Sequence, residues 1–129
     1  MSRRIASLWL PVAAYMGAIF VLSCLPALPE PPGFRGIDKP EHFIAYGGLA
    51  LLLVRALRGW RTGWRPWAVV LAAVAVGAAY GATDELHQLF VPTRRCELLD
   101  WASDLLGAAT GAAIGGVFFI RKARARYRK

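Results

Sequence analysis

The stretch Tyr80–Asp104, YGATDELHQLFVPTRRCELLDWASD, decides how this chain can fold. It carries five of the eight acidic residues, two adjacent arginines and one of the two histidines. A long apolar segment leads into it and another leads out, which predicts a polar turn at one end of a helical membrane hairpin. We therefore expect the functional face of the molecule around this turn.

The composition on both sides of this turn is typical of a membrane protein. Of the 129 residues 57% are hydrophobic, and the mean hydropathy is +0.41. That is well above the apolar fraction of an average soluble domain. The sequence predicts an all-α polytopic membrane protein: one domain over residues 1–129, built as a four-transmembrane-helix bundle with short loops.

Four apolar segments are long enough to cross the ~30 Å hydrocarbon layer, which takes about 20 helical residues. Their predicted bounds are about 6–25, 40–57, 67–89 and 98–120, and a basic tail follows at 121–129. Residues 26–37 contain four prolines and two glycines, which predicts an extended loop. Asp38 is expected to cap the second helix with its side chain, with Pro40 in the first turn.

The net charge of +8 is distributed unevenly, and the distribution predicts a topology. Twelve of the Lys and Arg residues lie at the two chain ends and around the turn at 60–66, whereas four lie on the other side with all eight acids. The positive-inside rule then places both termini in the cytoplasm and the acidic face outside. Insertion and attraction to anionic membrane lipids account for the basic residues, so nucleic acid is not expected as a partner.

The two cysteines, Cys24 and Cys96, lack the spacing of a metal site or a redox pair. We expect two free thiols. Both lie on the outward side of the predicted topology, so the alternative is a disulfide formed in an oxidising compartment.

Glycines recur every four residues in two of the predicted helices. Gly107, Gly111 and Gly115 share one face of the fourth helix, and Gly77 and Gly81 share a face of the third. Such stripes let helix backbones approach closely in lipid. The sequence therefore predicts a tight antiparallel pair of the third and fourth helices.

Three helices carry polar residues at helical spacing near their outward ends. They are Asp38, His42 and Tyr46 on the second helix, Tyr80, Asp84, His87 and Gln88 on the third, and Asp100 and Asp104 on the fourth. Ionisable groups at this depth are costly when they face lipid, so we expect them to face one another in an outward-facing polar cleft. The candidate donors there are Lys39, Arg94, Arg95, His42 and His87.

Three motifs of this region follow the pattern of a known family. They are DKPEHFIAYGGLALLL at 38–53, DELHQLFVPTRR at 84–95 and LLDWASDLLGAATG at 98–111. Together they resemble the VanZ-like integral membrane proteins. The matching positions are Asp38, Lys39, His42, Phe43, Tyr46, Asp84, Glu85, Gln88, Phe90, Pro92, Arg94, Asp100, Gly107 and Gly111.

The chain departs from the family pattern at three positions. Thr93 replaces a Gly, Glu97 the usual Ser and Asp104 the usual Asn, which makes the site more acidic. The resemblance implies a multi-pass protein of the bacterial cell membrane that acts in the cell envelope. Because the family is named for a member associated with teicoplanin resistance, it also implies a contribution to glycopeptide tolerance, but it implies no particular reaction.

One hypothesis is that the cleft binds an anionic lipid or a lipid-linked glycan, such as a lipid-linked cell-wall intermediate. Arg94 and Arg95 would hold phosphate through paired donors, while carboxylates accept from sugar hydroxyls. The candidate binding residues are Asp38, His42, Tyr46, Asp84, Gln88, Arg94, Asp100 and Asp104.

A second hypothesis is a membrane-embedded hydrolase or transferase. The candidate catalytic residues are His42, Asp84 and Glu85, with His42 as a general base oriented by Asp38 or Asp84. In a metal version, a divalent ion is bound by His42, Asp84, His87 and Asp100, since imidazole and carboxylate are suitable ligands. No other cofactor is predicted.

The third alternative is purely structural. The polar groups would form a hydrogen-bonded network that fixes helix register, with Arg94 paired to Asp100 or Asp84 across the turn. In this interpretation Glu41 and Glu97 are solvated.

Overall fold

A computed structural model describes residues 3–26 and 38–126 of the chain. In that part it contains four helices and no strand: α1 (Arg3–Ser23), α2 (Lys39–Trp60), α3 (Pro66–Gln88) and α4 (Leu98–Arg126). Each contains a stretch long and apolar enough to cross a membrane, which in α4 is Leu98–Phe119. The prediction of an all-α protein with four spans is confirmed. The predicted loop lies outside the described residues from position 27 onward.

The helix bounds differ from the prediction mainly at the two chain ends. α1 begins at Arg3, and α4 continues to Arg126, into the predicted basic tail. The added segment, RKARAR, consists of residues with high helix propensity and contains no Pro or Gly, so nothing in it stops the helix.

Asp38 begins α2 in a different way from the predicted side-chain cap. Its backbone is helical, with φ −73° and ψ −25°, and its side chain makes no capping hydrogen bond. Instead its carbonyl oxygen accepts from the backbone N–H groups of Glu41 and His42 at 2.9 and 3.1 Å. Pro40 lies in the first turn, as predicted, where no intrahelical partner for its nitrogen is needed.

The bundle is centred on α2, which packs along α4 and also contacts α3 and α1. The buried core of the described residues includes Leu49, Ala50, Leu53 and Val54 from α2, Val69 and Ala73 from α3, and Ala108 and Ala112 from α4. On α1 only Val12, Ile19 and Ser23 are buried. α1 is therefore the peripheral helix, and its exposed apolar side chains are suited to lipid.

The glycine stripe of α4 packs against α2, so the predicted partner for this stripe was wrong. A methyl group on Gly107 would overlap the carbonyl oxygen of Phe43, and one on Gly111 would overlap that of Gly47. The two backbones are in direct contact because neither helix places a side chain between them. This contact fixes the register of α2 against α4.

The stripe of α3 does face α4, but it meets side chains rather than glycines. A methyl on Gly77 would lie 3.0 Å from the Cβ of Ala108, and one on Gly81 would lie 2.7 Å from Oδ2 of Asp104. Gly81 therefore leaves the space that the Asp104 carboxylate occupies.

The turn between α3 and α4 contains one residue with an unusual backbone. Thr93 has φ 69°, and no other non-glycine residue in the described ranges has a positive φ. A β-branched residue is disfavoured in this conformation, whereas Gly adopts it freely. This is a physical reason for the Gly that the VanZ-like pattern has at this position.

Candidate functional site

Polar side chains are buried at one end of the bundle, where α2 begins, α3 ends and α4 begins. We call this the acidic end. Its buried residues are Asp84 (6% exposed), Glu85 (3%), Gln88 (3%), Asp100 (3%) and Asp104 (0%). The expected convergence of α2, α3 and α4 is therefore observed, but these acids are enclosed between helices instead of lining an open cleft.

His42 and Asp104 form a deeply buried side-chain pair of the acidic end. His42 Nδ1 lies 2.9 Å from Asp104 Oδ1, and the two side chains are 11% and 0% exposed. The pair connects α2 to α4. A carboxylate in this position holds the imidazole with Nδ1 as the donor and leaves Nε2 free to accept.

Lys39 lies at the rim of the same end and forms ion pairs with three carboxylates. Its Nζ forms an ion pair with Asp100 Oδ1, and lies 3.1 Å from Glu97 Oε2 and 3.3 Å from Asp38 Oδ1. The side chain of Asp100 is 4% exposed and that of Lys39 is 23% exposed. The ammonium group therefore joins the first residue of α2 to the start of α4.

Glu85 links the end of α3 to the start of α4. Its Oε2 accepts the backbone N–H of Glu97 at 2.8 Å, one residue before α4 begins. That bond satisfies a backbone donor near a helix N-terminus, where intrahelical acceptors are missing. The other oxygen, Oε1, is buried and has no hydrogen-bond partner among the described residues, and the same holds for Asp104 Oδ2.

Three of these side chains are arranged so that one ion could contact all of them. One ligand atom each from His42, Glu85 and Asp100 lie within 4.8 Å of one another. These residues come from α2, α3 and α4. Of the ligands in the metal hypothesis, His42 and Asp100 belong to this group of described residues, whereas Asp84 and His87 do not, and Glu85 is the third member.

His87 faces α1 instead of the carboxylates. Its Nε2 lies 3.3 Å from Cys24 Sγ, and its ring lies 4.8 Å from that of Phe20, measured between centroids. His87 lies three residues after Asp84, which offsets its side chain by about 60° around the helix axis, and on α3 this offset is enough to turn it toward α1. Cys24 and Cys96 are both free, as predicted, and form no disulfide.

Arg94 binds backbone, and neither of its predicted carboxylate partners. Its Nε donates to the carbonyl oxygen of Leu25 at 3.0 Å, which ties the α3–α4 turn to the end of α1. The alternative in which Arg94 pairs with Asp100 or Asp84 was therefore wrong. Arg95 is exposed and has no ion pair within the ranges 3–26 and 38–126.

The two tyrosines lie below the charged cluster. Tyr46 is 1% exposed and belongs to the core, and its ring centroid is 6.1 Å from that of Tyr80. The Tyr80 hydroxyl donates to the carbonyl oxygen of Met16 on α1 at 2.7 Å. The Tyr80 hydroxyl is therefore used for helix packing.

Lys39 and Glu97 contribute more contacts to the acidic end than the sequence pattern predicts. Glu97 is exposed, but its carboxylate binds Lys39 and its N–H binds Glu85, so it is not simply solvated. Its position three residues before Asp100 places both side chains on one face, within reach of a single Lys. That spacing was the available signal. Glu41 is exposed, as expected.

Four membrane-spanning helices around a buried cluster of carboxylates, one His and one Lys define a polytopic helical membrane protein with a polar site at one end. The chain belongs to the VanZ/LLP1 family, whose sequence model matches residues 7–119. This range includes every residue of the acidic end. Neither curated proteins nor solved structures gave a significant match.

Proposed function

We propose that this VanZ-family protein binds the anionic headgroup of a lipid or of a lipid-linked glycan at the acidic end. In this proposal it is a multi-pass protein of the bacterial cell membrane, with both termini in the cytoplasm and the acidic end outside. The supporting observation is that Arg94 and Arg95 form no ion pair with any described carboxylate, although carboxylates are abundant at the same end.

The division of partners explains why these arginines are available. The described carboxylates have Lys39 and His42 as their basic partners. Arg94 uses Nε for the Leu25 carbonyl, which orients the guanidinium and leaves its terminal N–H groups for an external anion. Arg and phosphate match each other in planar, paired hydrogen bonds. An exposed Arg95 next to it adds a second cation for the same phosphate.

The remaining members of the predicted binding set differ in how they could contribute. The Asp38 side chain is 36% exposed at the rim, where it can accept from a sugar hydroxyl. The others are largely buried and would hold the rim residues in place from below: His42, Tyr46, Asp84, Gln88, Asp100 and Asp104.

Lipid titration followed by native mass spectrometry tests this proposal on the full chain in detergent. The probes are phosphatidylglycerol and, as the neutral comparison, diacylglycerol. We expect Arg94→Ala/Arg95→Ala to weaken phosphatidylglycerol binding at least about tenfold, equivalent to about 1.4 kcal/mol. The control is Arg61→Ala/Arg65→Ala, which removes two exposed arginines from the α2–α3 turn. Equal binding by both double variants would overturn the proposal.

A contribution to teicoplanin tolerance is the physiological part of the same proposal. Binding of a lipid-linked cell-wall intermediate would connect the acidic end to the step that glycopeptides inhibit. Cells producing the wild-type chain should then tolerate a higher teicoplanin concentration than cells producing Arg94→Ala/Arg95→Ala at equal membrane abundance. Identical tolerance in the two strains would remove this part.

The pair His42 and Asp104 favours a second candidate, a membrane-embedded hydrolase or transferase. With Nδ1 held by Asp104 at 2.9 Å, Nε2 of His42 is the free acceptor that a general base needs. The orienting carboxylate is Asp104, not Asp38 or Asp84. Mass spectrometry of a bacterial lipid extract after incubation should show a new product with wild type and His87→Gln but not with His42→Gln. An unchanged lipid profile with wild type would exclude this candidate.

A further inference from the structure

The side chains of His42, Glu85 and Asp100 form a group with the composition of a metal site. Imidazole nitrogen and carboxylate oxygen together are ligands for Zn²⁺ and related first-row divalent ions. Ligand atoms bound to one tetrahedral Zn²⁺ lie roughly 3.3–3.6 Å apart, given bond lengths of roughly 2.0–2.2 Å. Those of the three side chains lie within 4.8 Å of one another, so side-chain movements of about 1 Å bring them into range.

The structure also supplies the hydrogen bond that usually accompanies a metal-bound His. Such a His donates its other ring N–H to a carboxylate, which fixes the tautomer and the ring orientation. Asp104 Oδ1 takes this position 2.9 Å from His42 Nδ1. Nε2 is then the nitrogen that can coordinate an ion.

An unsatisfied buried oxygen is a second, independent indication of a missing partner. Glu85 is 3% exposed, and its Oε2 already accepts the Glu97 N–H. Oε1 has no hydrogen-bond partner among the described residues. A buried carboxylate oxygen without a donor is costly, and a cation in the group would satisfy it.

The charge balance of the acidic end leaves room for a cation. Four buried carboxylates lie there, Asp84, Glu85, Asp100 and Asp104. Lys39 is the only Lys or Arg of the described residues that pairs with any of them, and His42 is the other basic group. With all four carboxylates ionised, negative charge exceeds positive charge even when His42 is protonated. Such an excess is expensive between membrane helices, and a bound cation or protonation of a carboxylate offsets it.

We propose that His42, Glu85 and Asp100 bind one divalent first-row transition-metal ion, for which Zn²⁺ is the probe, and that Asp104 orients His42. Three protein ligands leave positions for water or for an external ligand. Lys39 forms an ion pair with Asp100 and therefore competes with the metal ion for this carboxylate. The inference does not rest on the lipid proposal, because none of the three ligands is Arg94 or Arg95.

The test uses the full chain in detergent, stripped with EDTA, loaded with Zn²⁺ and desalted before elemental analysis. We expect one Zn²⁺ per chain in wild type and none retained by His42→Ala or Glu85→Gln. Asp104→Leu should weaken binding about 10–100-fold, the effect of losing an outer-shell partner. His87→Ala is the matched control, because His87 faces Cys24 and should leave the metal content unchanged.

Lys39→Met separates a metal site from a structural network. Loss of the competing ammonium should raise the Zn²⁺ affinity, whereas a network without an ion has no affinity to raise. Co²⁺ in place of Zn²⁺ should give visible absorption bands that Glu85→Gln abolishes, and circular dichroism and gel filtration check that this isosteric variant folds. Substoichiometric Zn²⁺ in wild type, or metal lost from His87→Ala and kept in His42→Ala, would overturn the proposal. Arg94→Ala/Arg95→Ala should keep its metal, so the two proposals can fail separately.

Discussion

His42 on α2 and Asp104 on α4 meet through Nδ1 and Oδ1 at 2.9 Å, with the carboxylate fully enclosed. Gly81 on α3 makes this possible, because any side chain there would occupy the space of Asp104 Oδ2. One pair therefore depends on three helices. We therefore expect removal of this pair to destabilise the packing of α2, α3 and α4 at the acidic end.

Replacement of Asp104 should depend strongly on whether the new side chain can accept a hydrogen bond. Asp104→Asn keeps an oxygen for the His42 N–H and should cost no more than about 1.5 kcal/mol. Asp104→Ala leaves a buried His without its partner and should cost about 3–5 kcal/mol. Unfolding in mixed micelles with increasing denaturing detergent measures both. Equal losses for the two variants would contradict the assigned hydrogen bond.

Backbone contact between α2 and α4 makes Gly111 intolerant of a side chain. Gly111→Ala should lower the free energy of unfolding by at least about 2 kcal/mol, because the methyl meets the Gly47 carbonyl, which cannot move aside. Gly17→Ala on α1 is the control, since nothing lies within 4 Å of the added methyl. It should be neutral or stabilise by about 0.5–1 kcal/mol through helix propensity. The same detergent titration compares them, and a tolerant Gly111 would refute the contact.

The positive φ of Thr93 predicts a stabilising substitution. Thr93→Gly should raise the free energy of unfolding by about 1 kcal/mol, since Gly has no Cβ to strain at φ 69°. Thr62→Gly in the α2–α3 turn is the matched control, because Thr62 has no positive φ. There the added freedom of the unfolded chain should make the change neutral or unfavourable. If Thr93→Gly is also destabilising, the left-handed backbone is not adopted.

The proposed topology can be tested with the native cysteines. Cys96 is exposed at the acidic end, so in a Cys24→Ser background a membrane-impermeant maleimide should label it in intact cells. Thr62→Cys, in a variant that lacks both native cysteines, should be labelled only after permeabilisation. The reverse pattern would place the acidic end in the cytoplasm and remove the basis for an outward-facing site.

The number and class of helices were predictable because hydrophobic length is a strong signal in a membrane sequence. The convergence of the acidic residues was also predictable, because a charged side chain that faces lipid is costly and these residues must therefore face the interior of the bundle. The partners of the individual helices were not. Helical spacing shows that Gly107 and Gly111 share a face, but not which helix this face meets. The residue of α2 that meets Gly111 is Gly47. Gly47 and Gly48 are adjacent and form no repeat at four-residue spacing, so they do not indicate a helix contact.

Within the site, spacing located the cluster but mixed its members with neighbours. Asp84 and Glu85 are adjacent, and only Glu85 reaches the His42 and Asp100 group. His87 resembles a ligand in sequence but faces Cys24. Adjacent residues on a helix point about 100° apart, so only one of two neighbours faces a given partner. When several polar residues follow one another, spacing does not show which of them faces the site.

Three of the longer-range hydrogen bonds outside the acidic cluster share one property: their acceptors are backbone oxygens. Tyr80 donates to Met16, Arg94 to Leu25 and Trp101 to Ala78. Every residue has a backbone carbonyl, so each of these hydrogen bonds restricts the identity of the donor residue but not that of the acceptor residue. Saturation mutagenesis should therefore find positions 16 and 25 permissive to most apolar replacements, while Tyr80 and Arg94 accept few. Residues 16 and 25 can therefore change in sequence while α1 keeps these two hydrogen bonds to the rest of the bundle.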